Sequence, residues 1–177
     1  MSVFTNTSGA APEHVSVYVA ALLDLLGDRD PRQVLGDTPD ALRSRTNGLA
    51  DDVAARPEAP GKWSLIGVVQ HLADAELIWG WRARMVLAHD RPVVTPYDQD
   101  LWADRLQYAK ARLEEAMEQF IVLRQINLRL IDRLSDDELG RTGLHPERGE
   151  ESVGRMIRLA AAHDLMHLRQ IDRILSR

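Results

Sequence analysis

"AAHDLMHLRQID", residues 161–172, sets two histidines four apart inside an amphipathic pattern that extends from about Ser152 to Leu175. Residues three and four apart share one helix face, so His163 and His167 stand in line with Met156, Ala160, Ile171 and Ile174. That face is otherwise apolar and points inward, and both imidazoles go with it. Burying two imidazoles in register demands partners for four ring nitrogens, because unsatisfied buried polar groups are costly. A shared cation satisfies two of them at once. The His-x3-His spacing is weak evidence by itself, and a metal site needs a third ligand.

Every other long periodic segment also reads as helix, and strand-type alternation is absent beyond a few residues such as "RPVVTP" (91–96). Pro12 starts a first helix that Gly27 stops. Asp30-Pro31 and Thr38-Pro39 repeat a cap-then-proline start, opening a short turn and then a helix ending near Asn47-Gly48. Ser64 caps a major helix reaching about His89. Trp102, Leu106, Ala109, Leu113, Met117, Phe120, Leu123, Leu130, Ile131 and Leu134 mark one long helix from about Gln99 to Leu134. Asn127 falls on that stripe and reads as a hydrogen-bonded interior amide. Ser135 and Glu138 have capping-box spacing, and "GLHPERGEE" (143–151) reads as a loop. The fold class is all-α, and long helices joined by loops bury their stripes most simply as a bundle. Residues 1–11 read as a flexible tail and 12–177 as a single domain.

Composition removes several classes of function. The 177 residues hold 22 basic and 27 acidic side chains, a formal net charge of −5, which argues against a nucleic-acid partner. Arg155, Arg158, Arg169, Arg173 and Arg177 read as a solvated outer face. No cysteine is present, so disulfides, thiolate ligands and a protein thiol nucleophile are excluded. Neither a signal peptide nor a membrane-length apolar run is visible, so a cytoplasmic location without a membrane partner is expected. Asn6-Thr7-Ser8 matches a glycosylation acceptor but sits in the tail and carries no weight. A di-metal ferritin-type site is disfavoured because no Glu-x-x-His occurs.

His71, on the flank of its helix's stripe in "VVQHLADAE" (68–76), is the best third ligand. Taken alone it reads as a core-edge histidine bonded to a backbone carbonyl; with His163 and His167 it completes three imidazoles and leaves open the positions a catalytic metal needs. Zinc, nickel, iron or copper suits such ligands. Glu76 and Asp164 are carboxylates able to orient an imidazole or move a proton. Asp74 has the same two options, but its projection away from the stripe favours a solvated charge. Arg82 either binds an anionic substrate or thiol, or snorkels to water. His145 either approaches the site or caps its loop. Trp63, Trp79, Trp81 and Trp102 read mostly as core or end-cap packing.

"GKWS" (61–64), "QHLADAE" (70–76), "WRARMVLAHDRP" (81–92), "YDQDLW" (97–102), "HPERGEES" (145–152) and "HDLMHLRQI" (163–171) together resemble the DinB/YfiT-like metal-binding family. The resemblance implies an up-down-down-up four-helix bundle with additional short helices. It also implies one divalent metal on His71, His163 and His167, for which zinc, nickel or iron is expected from the imidazole ligands. It further implies a metal-dependent hydrolase, for which the residues near the histidines, Asp164, Glu76 and Arg82, are the candidate catalytic groups and a small molecule the expected substrate. Related members are S-transferases using a low-molecular-weight thiol, and homodimers are common among them. A non-catalytic metal-binding stress protein is the remaining alternative.

Overall fold

The computed structural model describes residues 9–176; Asn6-Thr7-Ser8, the start of the expected tail and Arg177 lie outside them. Eight helices run in order: α1 (Pro12–Leu26), α2 (Pro31–Thr46), α3 (Asp51–Ala54), α4 (Leu65–Ala88), α5 (Gln99–Arg105), α6 (Leu113–Ile131), α7 (Asp136–Gly140) and α8 (Val153–Leu175). A single 3₁₀ turn, Tyr108–Lys110, separates α5 from α6. Strands β1 (Thr142–His145) and β2 (Gly149–Ser152) form an antiparallel hairpin before α8.

The long helices start where their caps dictate. The Ser64 hydroxyl accepts the Gly67 N–H at 3.2 Å, and the Ser152 hydroxyl accepts that of Arg155 at 3.1 Å. Ser135 and Glu138 close a complete capping box on α7. Helices α2, α8, α4 and α6 pack in a ring, with α1 laid against α8. Gln70 meets Gln119 and Glu76 meets Asn127, so α4 and α6 run parallel. Arg45 meets Asp172, and the Leu35 carbonyl and Asp164 share Arg124, so α2 and α8 run parallel as well. Val86 near the end of α4 packs with Met156 at the start of α8, and Leu72 near the start of α4 with Ile171 at the end of α8, which sets α4 antiparallel to α8. The result is the up-down-down-up bundle.

Two apolar clusters make the core. One gathers α1, the end of α4 and the first half of α8 around Leu26, Val86 and Met156. The other joins the start of α4, α6 and the end of α8 around Leu72, Phe120 and Ile171. Leu159 to Ala162 belong to the first and Leu168 to the second, so His163 and His167 fall at the seam.

Three sequence expectations need correction. The Gln99–Leu134 segment is not one helix. Gln107 adopts a left-handed φ of 58°, and the break turns Tyr108 inward while Leu101 and Leu106 stay exposed. Burial of Tyr108 outweighs the periodic pattern around it. Thr38-Pro39 starts nothing: Pro39 lies inside a continuous α2. Its missing N–H frees the Leu35 carbonyl, which accepts Nη1 of Arg124 at 2.6 Å instead. The "GLHPERGEE" loop is the hairpin, whose four-residue strands are too short for alternation to register. Val94 and Pro92 extend its pairing through Leu144.

Candidate metal centre

His71 comes from the second turn of α4, and His163 and His167 from adjacent turns of α8. All three are buried. Nε2 of His163 lies 3.0 Å from Nε2 of His71 and 3.1 Å from Nε2 of His167. One ligand atom from each residue falls within 4.8 Å of the others. Nδ1 of His167 donates to Oε1 of Gln170 at 2.8 Å, which leaves its Nε2 as a lone pair. Burial holds the His71 and His167 pKa values well below the usual range, and burial together with Arg124 lowers His163 to about 4. Three neutral rings therefore turn their nitrogens on one point. A single proton can bridge one of the two short contacts and leaves lone pairs facing at the other, whereas a cation satisfies all three. Nδ1 of His71 has no partner among the described residues. The donor set thus fits a transition metal.

Trp63 covers the outer side, with its ring 4.8 Å from His71 and 6.5 Å from His167. The inner side is a charged network on Arg124, whose side chain is 1% exposed. Its guanidinium donates to Asp164 Oδ2 at 2.7 Å and Glu76 Oε1 at 2.9 Å. Burial opposes the charge of Arg124, and Asp164 and Glu76 outweigh that effect and raise its pKa. Asn127 donates to the Glu76 carbonyl at 2.9 Å and to Oε2 at 3.0 Å, as an interior amide should, and accepts from Arg84. Glu76 and Asp164 are thus each already bound to Arg124, the charge that also lowers the His163 pKa.

Asp74 is not solvated. It is buried, accepting from the Tyr108 hydroxyl at 2.6 Å and from Gln119 at 3.2 Å. α4 is covered on more than one side, so a single apolar stripe underestimates its interior. Arg82 does not reach water either: it is 3% exposed, and its Nε and Nη2 both donate to the Thr95 carbonyl. His145 is buried on β1, and its Nδ1 accepts the Glu147 N–H at 3.2 Å. Trp81 is 58% exposed and packs in no core. Arg155, Arg158, Arg169 and Arg173 are exposed as expected.

Sequence reasoning missed Arg124, although a signal existed. Leu113, Met117, Phe120, Arg124, Asn127 and Ile131 follow one another at helical spacing, and five of those six positions read as interior. The usual exposure of arginine hid the sixth. Nothing in the sequence marks Gln170 or Tyr108 as neighbours of the site.

Residues 35–171 match the family model of the DinB superfamily. A protein of Oceanobacillus iheyensis named "putative metal-dependent hydrolase" is 28% identical over 141 residues, covering 80% of this chain and 81% of the relative. One of Bacillus cereus with the same name is 26% identical over 145 residues, 82% and 83% of the two chains. Among solved structures, YfiT from Bacillus subtilis superposes with a TM-score of 0.74 at 23% identity, over 82% of this chain and 86% of its own. It is described as "a probable metal-dependent hydrolase with an unusual four-helix bundle topology".

Proposed function

The chain belongs to the DinB superfamily, and from that premise we propose that it is a metal-dependent hydrolase of small molecules. In this reading His71, His163 and His167 hold one divalent transition metal, zinc, nickel or iron. The observation that carries the reading is the convergence of three Nε2 atoms at 3.0 and 3.1 Å. Bound there, such a cation would supply Lewis acidity to a substrate oxygen and would acidify water near neutral pH.

The chain's own residues do the rest. Neutral imidazoles would leave the cation's charge uncancelled, and a three-histidine set would leave room for substrate. Arg124 ties Glu76 on α4 to Asp164 on α8, fixing the separation of the two helices that carry the ligands. We assign Glu76 and Asp164 to this positioning rather than to proton transfer. Arg82 faces the cavity beside His163 and orients the substrate there.

Elemental analysis of untagged protein beside the His163→Ala/His167→Ala variant tests the metal. About one equivalent per chain, lost in a variant that keeps its helical circular dichroism, is the expected result. Metal content unchanged in the variant refutes the ligand assignment. A panel of ester, amide and lactone substrates then tests hydrolysis, with loss of turnover on metal removal. Because the chain has no cysteine, transfer chemistry at the same centre needs an external low-molecular-weight thiol. An electrophile consumed only when such a thiol is added favours that second reading. A bound metal with turnover in neither assay marks a non-catalytic metal protein.

A further inference from the structure

A cavity of about 80 Å³ reaches His163 from between α1, α4 and the hairpin. Two guanidinium groups on its wall flank the Trp79 ring, Arg82 at 5.9 Å and Arg148 at 5.8 Å from the centroid. Their electrostatic states differ. Arg148 forms a two-bond pair with the buried Glu151 at 2.7 and 2.8 Å. Arg82 has only the Thr95 carbonyl, at 3.2 and 2.7 Å, and no carboxylate pairs with it among the described residues. Burial and Arg148 lower its pKa to about 10, an effect that the nearby Glu151 and Glu147 offset only in part, and at that value it stays charged at neutral pH. Glu147, half-buried at the same cavity, accepts the Gly9 N–H and pairs with neither arginine. A buried cation without a counter-ion is costly, and such a site is stabilised when an anion enters it.

His145 supplies a second unsatisfied group. Its Nδ1 accepts a backbone N–H, so the ring proton of the neutral form sits on Nε2. Burial, helped by Arg148 and Arg82, lowers its pKa to about 3 and keeps the ring neutral. That Nε2–H is buried and has no partner among the described residues, although the residue lines the cavity. One guanidinium without a directly bonded carboxylate and one unused neutral donor thus share a small space with His163.

We propose that this cavity binds the carboxylate of a small substrate, held by Arg82 and the Nε2–H of His145. A planar guanidinium matches a carboxylate better than it matches a spherical anion, and one guanidinium without a bonded carboxylate suits a monoanion. The proposal rests on the metal-dependent reading above, for it is the metal at His163 that gives a molecule anchored here something to react with.

The test titrates full-length protein with propionate, with propionamide as its uncharged counterpart, and with inorganic phosphate. The NMR signal of the Trp79 indole N–H reports occupancy, in metal-loaded protein and in protein stripped by a chelator. Propionate is expected to shift the signal saturably in both forms, with propionamide weaker by roughly tenfold or more. Arg82→Gln and His145→Phe should each weaken propionate by roughly tenfold with metal content unchanged, and Arg82→Lys should retain part of the affinity. Should Arg82→Gln fail to fold, His145→Phe and the acid–amide comparison in unaltered protein still decide. No saturable shift, equal binding of acid and amide, or tighter binding of phosphate overturns the proposal. So does propionate binding that vanishes with the metal, because the metal and not Arg82 would then be its partner. Failure of the metal assignment looks different: no metal is found, yet stripped protein still binds propionate.

Discussion

Arg124 places one positive charge among two carboxylates and a main-chain carbonyl, all buried. Removing it leaves Glu76 and Asp164 uncompensated. Arg124→Met should cost about 3–5 kcal/mol in urea unfolding, and adding Glu76→Gln and Asp164→Asn should recover part of the loss. A cost below about 1 kcal/mol would show that the network contributes little. The histidines impose a pH dependence of definite sign. His71, His145, His163 and His167 are all held neutral, His163 down to about 4 and His145 down to about 3. Below the ordinary value of 6.5 the unfolded chain takes up protons that the folded chain refuses, so stability falls with pH. In metal-free protein the urea midpoint should decline steadily from pH 6.5 to 4, with about half the slope in His163→Ala/His167→Ala. A flat profile would mean that these rings already protonate in the folded state. At positions 163 and 167 the sequence was readable because two polar residues interrupt one apolar stripe. At Asp74 it misled, since its partners, Tyr108 and Gln119, come from elements distant in sequence.

Two glycines within helices should respond to alanine in opposite directions. A Cβ at Gly80 in α4 would run into the Asn127 amide, whose own bonds hold Glu76. Gly80→Ala should destabilise by about 1–3 kcal/mol. Gly36, exposed in α2, has nothing within 4 Å of such a Cβ, and Gly36→Ala should stabilise by about 0.5–1 kcal/mol. Thermal unfolding of the pair reads both signs, and a gain at position 80 would contradict the packing described for α4 and α6. The ends of α1, α4 and α8 followed from prolines, serine caps and Gly27, which are local signals. The break at Gln107 and the unbroken passage of α2 through Pro39 did not. Each depends on a distant partner, Asp74 for Tyr108 and Arg124 for the freed Leu35 carbonyl, and no window of sequence contains both members.

Apolar clusters lie on both sides of the polar seam, so the bundle's integrity and the metal's occupancy are separable. Chelation should leave helical content intact and lower stability, by about 2.7 kcal/mol when free metal stands a hundredfold above its dissociation constant. Loss of helix on chelation would instead make the cation part of the core. No helix among the described residues is long and apolar enough to cross a membrane. The class and the ring of long helices were visible in the periodicity, whereas the cavity at His163 was not, because it forms only where α1, α4 and the hairpin meet. His71 and His163 are 92 residues apart in sequence, and their nitrogens meet only once α4 and α8 have docked. A cation that needs both binds only the docked pair, and where that docking follows the transition state it does not hasten folding. In stopped-flow experiments the metal should therefore leave the refolding arm of the chevron where it is and slow the unfolding arm alone, making it a latch on a door that the apolar clusters have already shut.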